Sequence, residues 1–313
     1  MRLLKKYYTF LKWSIVIVAN VFLIYSLINY KGYNSLWAQW SRGMASGIWW
    51  LVLVLILVPL NWFLETKKWQ ILVGDLEPMP LKKAFRSVMG GNTTAFFTPN
   101  RVGEFPGRSI FLEEGHRLKG IALGVIGSFS QTFVILLGGI PAAIVLLSRF
   151  DAKNFNAIYL SCAIFIFVLF LLLYFFLPEI CKKLSRYSFF HKIKNILILL
   201  SETSRNKLLY ICGVALLRYF VFCIQLYFML RFFCVDLNVW LGMIGIATNY
   251  LFVTFTPSFA FSEGAVRASM AVLIIKAFSG NTVGIAAAGI SIWLINFVIP
   301  MIVGSYFLSK TKL

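Results

Sequence analysis

Apolar stretches near residues 12–30, 44–64, 120–148, 157–177, 208–230 and 282–308 leave this chain little choice of solvent. About 20 apolar residues in helical form cross a bilayer, and each stretch is close to that length or beyond it. Hydrophobic residues make up 60% of the chain and charged ones 13%, against roughly a quarter charged in soluble domains. Within hydrocarbon every backbone N–H and C=O needs a partner inside the protein, which leaves helices or closed barrels. Long leucine-rich runs, rather than ten-residue alternating segments, select helices. The expected fold is an all-α polytopic membrane protein of about six full spans.

Two further segments, 84–112 and 239–278, are too polar and broken to be clean spans, and they share a pattern. The first holds Thr98-Pro99-Asn100-Arg101-Val102-Gly103-Glu104-Phe105-Pro106-Gly107-Arg108. The second holds Thr256-Pro257-Ser258-Phe259-Ala260-Phe261-Ser262-Glu263-Gly264-Ala265-Val266-Arg267. Glu104 and Glu263 stand 159 residues apart, as do Arg108 and Arg267. Proline-interrupted segments at matching positions of two halves are the sequence mark of a transporter site. Proline removes a donor and drives its predecessor out of the helical region, so Thr98 and Thr256 are expected to end helices. A new helix can follow, with Pro106 in one first turn and Ser262 capping the other. Both segments are therefore read as re-entrant hairpins in a single domain, residues 1–313, with pseudo-halves 1–150 and 151–313.

Thirty basic residues against eleven acidic ones could suggest nucleic acid, but the charges flank the apolar runs, as the positive-inside rule requires. With the N-terminus inside, 22 Lys and Arg fall on the cytosolic side and seven outside, Arg218 lying within a span. Both termini are expected in the cytosol of a prokaryote's cytoplasmic membrane. The two hairpins then enter from opposite sides, as an inverted-topology repeat. Between 178 and 207 a basic stretch reads either as an amphipathic helix on the anionic leaflet or as an ordinary connector. Trp37, Trp40, Trp49, Trp50, Trp62 and Trp69 suit an interfacial belt.

A Glu at a helix start with Arg four residues later is often a structural salt bridge. Its recurrence beside broken apolar segments favours a binding role, because ionisable groups at membrane depth are costly and mark pathways. Arginine is suited to phosphate, and the neighbouring Glu can balance it in an empty site or pair with an amine. Asn92 and Asn249, seven and eight residues before the prolines, could line the same cavity or only join helices. Arg218 lies too deep to snorkel and is expected to face the interior, toward a carboxylate or a lipid phosphate, with Gln225 and Asn296 nearby and Gln131 a weaker companion.

No cofactor is expected. The five cysteines form no C-x-x-C pair, His116 and His191 are solitary, and no G-x-x-x-x-G-K-[ST] loop is present. Acidic residues on the outer side (Asp151, Asp236 and Glu263) are too scattered for a catalytic cluster. The chain is therefore expected not to be an enzyme.

The stretch Gly91-Asn92-Thr93 … Thr98-Pro99-Asn100-Arg101-Val102-Gly103-Glu104 … Arg108 resembles the transmembrane region of lysylphosphatidylglycerol synthases and their stand-alone multipass relatives. Pro257-Ser258 … Ser262-Glu263-Gly264-Ala265-Val266-Arg267 is similar to that family's later signature. The resemblance implies a flippase-like fold of two inverted repeats and lipid translocation. It adds Arg101 to the candidate positions Asn92, Glu104, Arg108, Glu263 and Arg267. Two departures are Ala268, where an acidic residue usually follows the Arg, and Ser130-Gln131 in place of a charged pair. No soluble aminoacyl-transfer domain is seen, so the chain is not expected to make lysyl lipids itself.

The leading expectation is translocation of a phospholipid or lipid-linked intermediate. The partner would be a membrane lipid: an anionic or aminoacylated phospholipid, or a lipid-linked sugar. A homo-oligomer remains open. The alternatives are a membrane-embedded transferase using a lipid-linked donor, or a non-transporting partner of a lipid-modifying enzyme.

Overall fold

The structure is a computed structural model that describes residues 33–150, 157–258 and 260–311; the expected first span, 12–30, lies outside them. Among the described residues there are helices and turns but no strand. In order they are α1 (Tyr33–Ser46), α2 (Ile48–Val73), α3 (Leu81–Ala95), α4 (Glu104–Ser109), α5 (Arg117–Phe150), α6 (Ala157–Phe175) and α7 (Leu177–Leu184). Then follow α8 (Lys194–Ser201), α9 (Arg205–Phe232), α10 (Val239–Phe255), α11 (Ala260–Ile275), α12 (Thr282–Trp293) and α13 (Ile299–Lys310).

Four helical stretches are long and apolar enough to cross a membrane: Ile48–Val73, Glu114–Arg149, Arg205–Phe232 and Thr282–Lys310. A fifth is reached if α6 and α7, bent by 66° at Phe176, form one span. All five coincide with expected spans, although α2 runs nine residues past the expected end at 64. The basic stretch after α6 is not one amphipathic helix. It is divided into α7, a 3₁₀ turn over Ser188–Ile193, and α8.

The order long helix, broken pair, long helix occurs twice: α2, α3/α4, α5, and then α9, α10/α11, α12/α13. The packing is crossed. α2 and α9 lie against each other, α5 packs along α10 in the other half, and α13 packs along α3. The α3–α13 contact depends on Gly304, where a side chain would strike the Met89 backbone carbonyl. Thr93 on α3 donates to the Met301 carbonyl at 2.8 Å across the same contact.

Both breaks obey proline chemistry. Thr98 (φ −126°, ψ 144°) and Thr256 (φ −83°, ψ 118°) are extended, as a residue before proline must be. Thr94 and Thr98 fold the first break back on itself. The Thr94 hydroxyl donates to the Gly103 carbonyl at 2.7 Å, and the Gly103 N–H donates to Thr98 Oγ1 at 2.7 Å. Gly107 is required there because a Cβ would collide with Thr94. One sequence detail is corrected: α11 begins at Ala260, so Ser262 lies inside its first turn and does not cap it. Between α12 and α13, residues Leu294–Val298 widen into a π-helical turn. Pro300 lacks the N–H that would close an α-turn onto Asn296, and such widenings recur at functional sites.

Candidate functional site

The two breaks touch. The Asn100 N–H donates to the Ser258 carbonyl at 2.9 Å, and the Ser258 N–H donates to Asn100 Oδ1 at 3.0 Å. This contact holds Asn100 (φ 49°) and Arg101 (φ 61°) in the left-handed region, which Asn tolerates and Arg seldom adopts. Strain of that kind gathers at functional sites.

Beside the contact is a cavity of about 280 Å³ lined from both halves. Glu65 and Lys68 come from α2, Glu104 and Arg108 from α4, Gln131 from α5, Arg218 from α9, Tyr250 from α10, and Glu263 and Arg267 from α11. Arg101 and the Phe297 ring also line it.

Of the eight expected site residues, six line this cavity: Arg101, Glu104, Arg108, Arg218, Glu263 and Arg267. Asn92 stands behind it, its Oδ1 accepting from Arg101 Nη2 at 2.7 Å. Asn249 is buried next to the lining residue Tyr250 but is not itself part of the wall, and its Oδ1 has no hydrogen-bond donor.

Each helical pair forms as its i,i+4 spacing dictates. Glu104 Oε1 pairs with Arg108 Nη2. Glu263 Oε1 takes both Nη2 and Nε of Arg267, at 2.8 and 3.1 Å. Glu104 also reaches Arg101 at 3.4 Å. Arg101 and Arg267, one from each half, lie over the same Phe297 ring, with Cζ to ring-centre distances of 4.1 and 4.4 Å. Cation–π attraction on a desolvated ring is worth about 2 kcal/mol, so the π-helical turn holds both arginines.

Sequence reading missed the centre of the cluster. Glu65, 4% exposed, binds Lys68 at 2.8 Å, Arg108 at 2.7 Å and Arg218 at 2.7 Å. Lys68 (2% exposed), Arg101 and Arg108 are among the 22 charges that the sequence places on the cytosolic side. All three belong to the cavity, and so does Arg267, counted outside. The available signal was the 4–3 spacing of Asn61, Glu65 and Lys68, which puts them on one face of α2. Trp69 is likewise not an interfacial residue. It is fully buried, with the Arg108 guanidinium 5.6 Å from its ring.

A relay of amides supports Arg218. Its Nε donates to Asn61 Oδ1 at 2.8 Å, Asn61 Nδ2 donates to Asn296 Oδ1 at 2.6 Å, and Asn296 Nδ2 donates to Gln225 Oε1 at 3.2 Å. Gln131 Oε1 accepts from Arg218 at 3.4 Å. Buried polar groups must be satisfied, and here three helices and the π-helical turn satisfy one another.

Among the described residues, one group has metal-ligand composition. Glu77, Glu113 and His116 hold their ligand atoms within 4.8 Å of one another, Glu77 and Glu113 outside the long apolar stretches and His116 at the start of Glu114–Arg149. Glu77 is already occupied by Lys83 at 2.6 Å, the Glu113 N–H at 3.0 Å and His116 Nδ1 at 3.1 Å. Burial alone would raise the Glu77 carboxyl, but these donors hold it below its ordinary value. It ties the α2–α3 loop to the start of α5.

Helix length, apolarity and a charged cavity between broken helices define a polytopic α-helical membrane protein. The family model described as the lysylphosphatidylglycerol synthase TM region matches residues 12–304, and the chain belongs to that family. No curated protein and no solved structure matches it.

Proposed function

We propose that the protein moves a phospholipid or lipid-linked intermediate across the cytoplasmic membrane without itself catalysing a covalent step. The polar headgroup sits among the Glu and Arg residues of the two broken helices, and the acyl chains stay in the bilayer. The observation that carries this reading is the meeting of the two Thr-Pro breaks at one cavity, each contributing a Glu–Arg pair. The crossed packing of α5 on α10 and α13 on α3 is what two halves related by a two-fold axis would give. Such halves, with sites at their interface, are how many transporters expose a fixed site to each side in turn.

The test is transbilayer movement of labelled phospholipid in vesicles reconstituted with the purified chain. Movement is expected with the native protein and is expected to fall at least tenfold in Glu104→Gln and Arg267→Ala variants that keep native helicity. Covalent turnover of a lipid donor with no movement of any lipid class would overturn it.

A further inference from the structure

The charges around the cavity do not balance. Its lining residues include five cations, Lys68, Arg101, Arg108, Arg218 and Arg267, and three carboxylates, Glu65, Glu104 and Glu263. Every carboxylate lies in an ion pair, so all three count as negative. Among the described residues two positive charges are left over. Water outside the membrane solvates such an excess cheaply; a cavity walled by helices does so poorly, and a bound anion is favoured there.

The pairing shows where the excess gathers. Glu65 is surrounded by Lys68, Arg108 and Arg218, and Glu104 is shared between Arg108 and Arg101. Among the described residues the one ion pair of Glu263 is with Arg267, which balances it, so the excess lies with Lys68, Arg101, Arg108 and Arg218, four cations against Glu65 and Glu104. Arg101 and Arg267 lie against one Phe297 ring, beside the Asn100–Ser258 contact. Arg101 of that excess group and Arg267 of the other half are thus held at a common ring, which attracts cations.

We infer that this cavity takes a phosphate monoester as the polar end of its lipid. The inference rests on the translocation reading and names the ligand class of that same site. A monoester phosphate carries about −1.5 to −2 at neutral pH, which matches the excess. A phosphodiester carries one charge and leaves a cation uncompensated, a zwitterion leaves both, and an aminoacylated headgroup adds another cation. A monoester also presents three terminal oxygens, enough to take donors from both halves at once. Glu104 then acts as the counter-charge that the phosphate displaces from Arg101.

The experiment measures stabilisation of the full chain in detergent by dioleoylphosphatidic acid, dioleoylphosphatidylglycerol, dioleoylphosphatidylcholine and inorganic phosphate. Phosphatidic acid is expected to bind roughly tenfold tighter than phosphatidylglycerol, a difference of about 1.4 kcal/mol. The advantage should shrink as pH falls through the second phosphate pKa of about 6. In Arg267→Gln, which leaves Glu263 unpaired and lowers the net excess from two charges to one, the ratio should fall to about one. In Arg149→Gln, at an exposed position, it should persist.

Equal binding of the monoester and diester lipids by the native chain would overturn the inference, whatever the variants do. Inorganic phosphate binding as tightly as phosphatidic acid would also overturn it, by assigning the site to a soluble anion. Movement of a diester lipid in vesicles, with no monoester preference, defeats this inference and leaves the translocation reading standing. Absence of movement for every lipid defeats that reading itself.

Discussion

Glu65 is the residue on which the cavity's electrostatics turn. One carboxylate on α2 holds cations from three helices, and removing one member of a buried ionic group leaves its partners uncompensated, at a cost of about 3–5 kcal/mol. Glu65→Gln should therefore lower the melting temperature far more than the loss of an exposed pair such as Arg205–Glu179, whose attraction water screens. Equal effects in a thermal-unfolding series would refute the central place given to Glu65. Glu77 gives a pH signature. Its folded-state carboxyl titrates below the unfolded value, so its stabilisation is full above about pH 4.3 and is lost as the pH falls through the folded value. Melting temperature should decline over that acidic window, and Glu77→Gln should flatten the decline.

At the scale of elements, the broken helices depend on close approach as much as on proline. Gly304 and Gly213 are both helical glycines with opposite surroundings: a side chain at Gly304 meets the Met89 carbonyl, and one at Gly213 meets nothing within 4 Å. Gly304→Ala should cost about 1–3 kcal/mol, while Gly213→Ala should be neutral or stabilising, since Ala is the better helix former; equal melting temperatures would contradict the α3–α13 contact. Much at this scale was legible in the sequence. Apolar length located the four long helical stretches and the bent α6–α7 pair, and Thr98-Pro99 and Thr256-Pro257 located both breaks, because backbone chemistry is local. Hidden were features that need a partner distant in sequence. Lys68 looks like a flanking charge until Glu65, Arg108 and Arg218 converge on one point, and Trp69 looks like a belt residue until Arg108 covers it. Arg218 could be assigned to the interior from its depth alone, but nothing in its neighbourhood named Asn61 or Glu65.

For the whole molecule, the account requires two halves that meet at the breaks and part as the site changes sides. The Asn100–Ser258 contact is small, two hydrogen bonds of about 1 kcal/mol net each, which suits a latch that opens in each cycle. The expected orientation of the halves rests on their charge flanks. Assigning Lys68, Arg101 and Arg108 to the cavity thins the cytosolic count without reversing the bias. The most direct measurement joins the two breaks covalently. Asn100→Cys with Ser258→Cys, in a Cys234→Ser background, places thiols on backbones already hydrogen-bonded and so within disulfide reach. Oxidation is expected to arrest lipid movement in reconstituted vesicles, and a reductant to restore it. Undiminished movement in the fully cross-linked protein would contradict the parting of the halves.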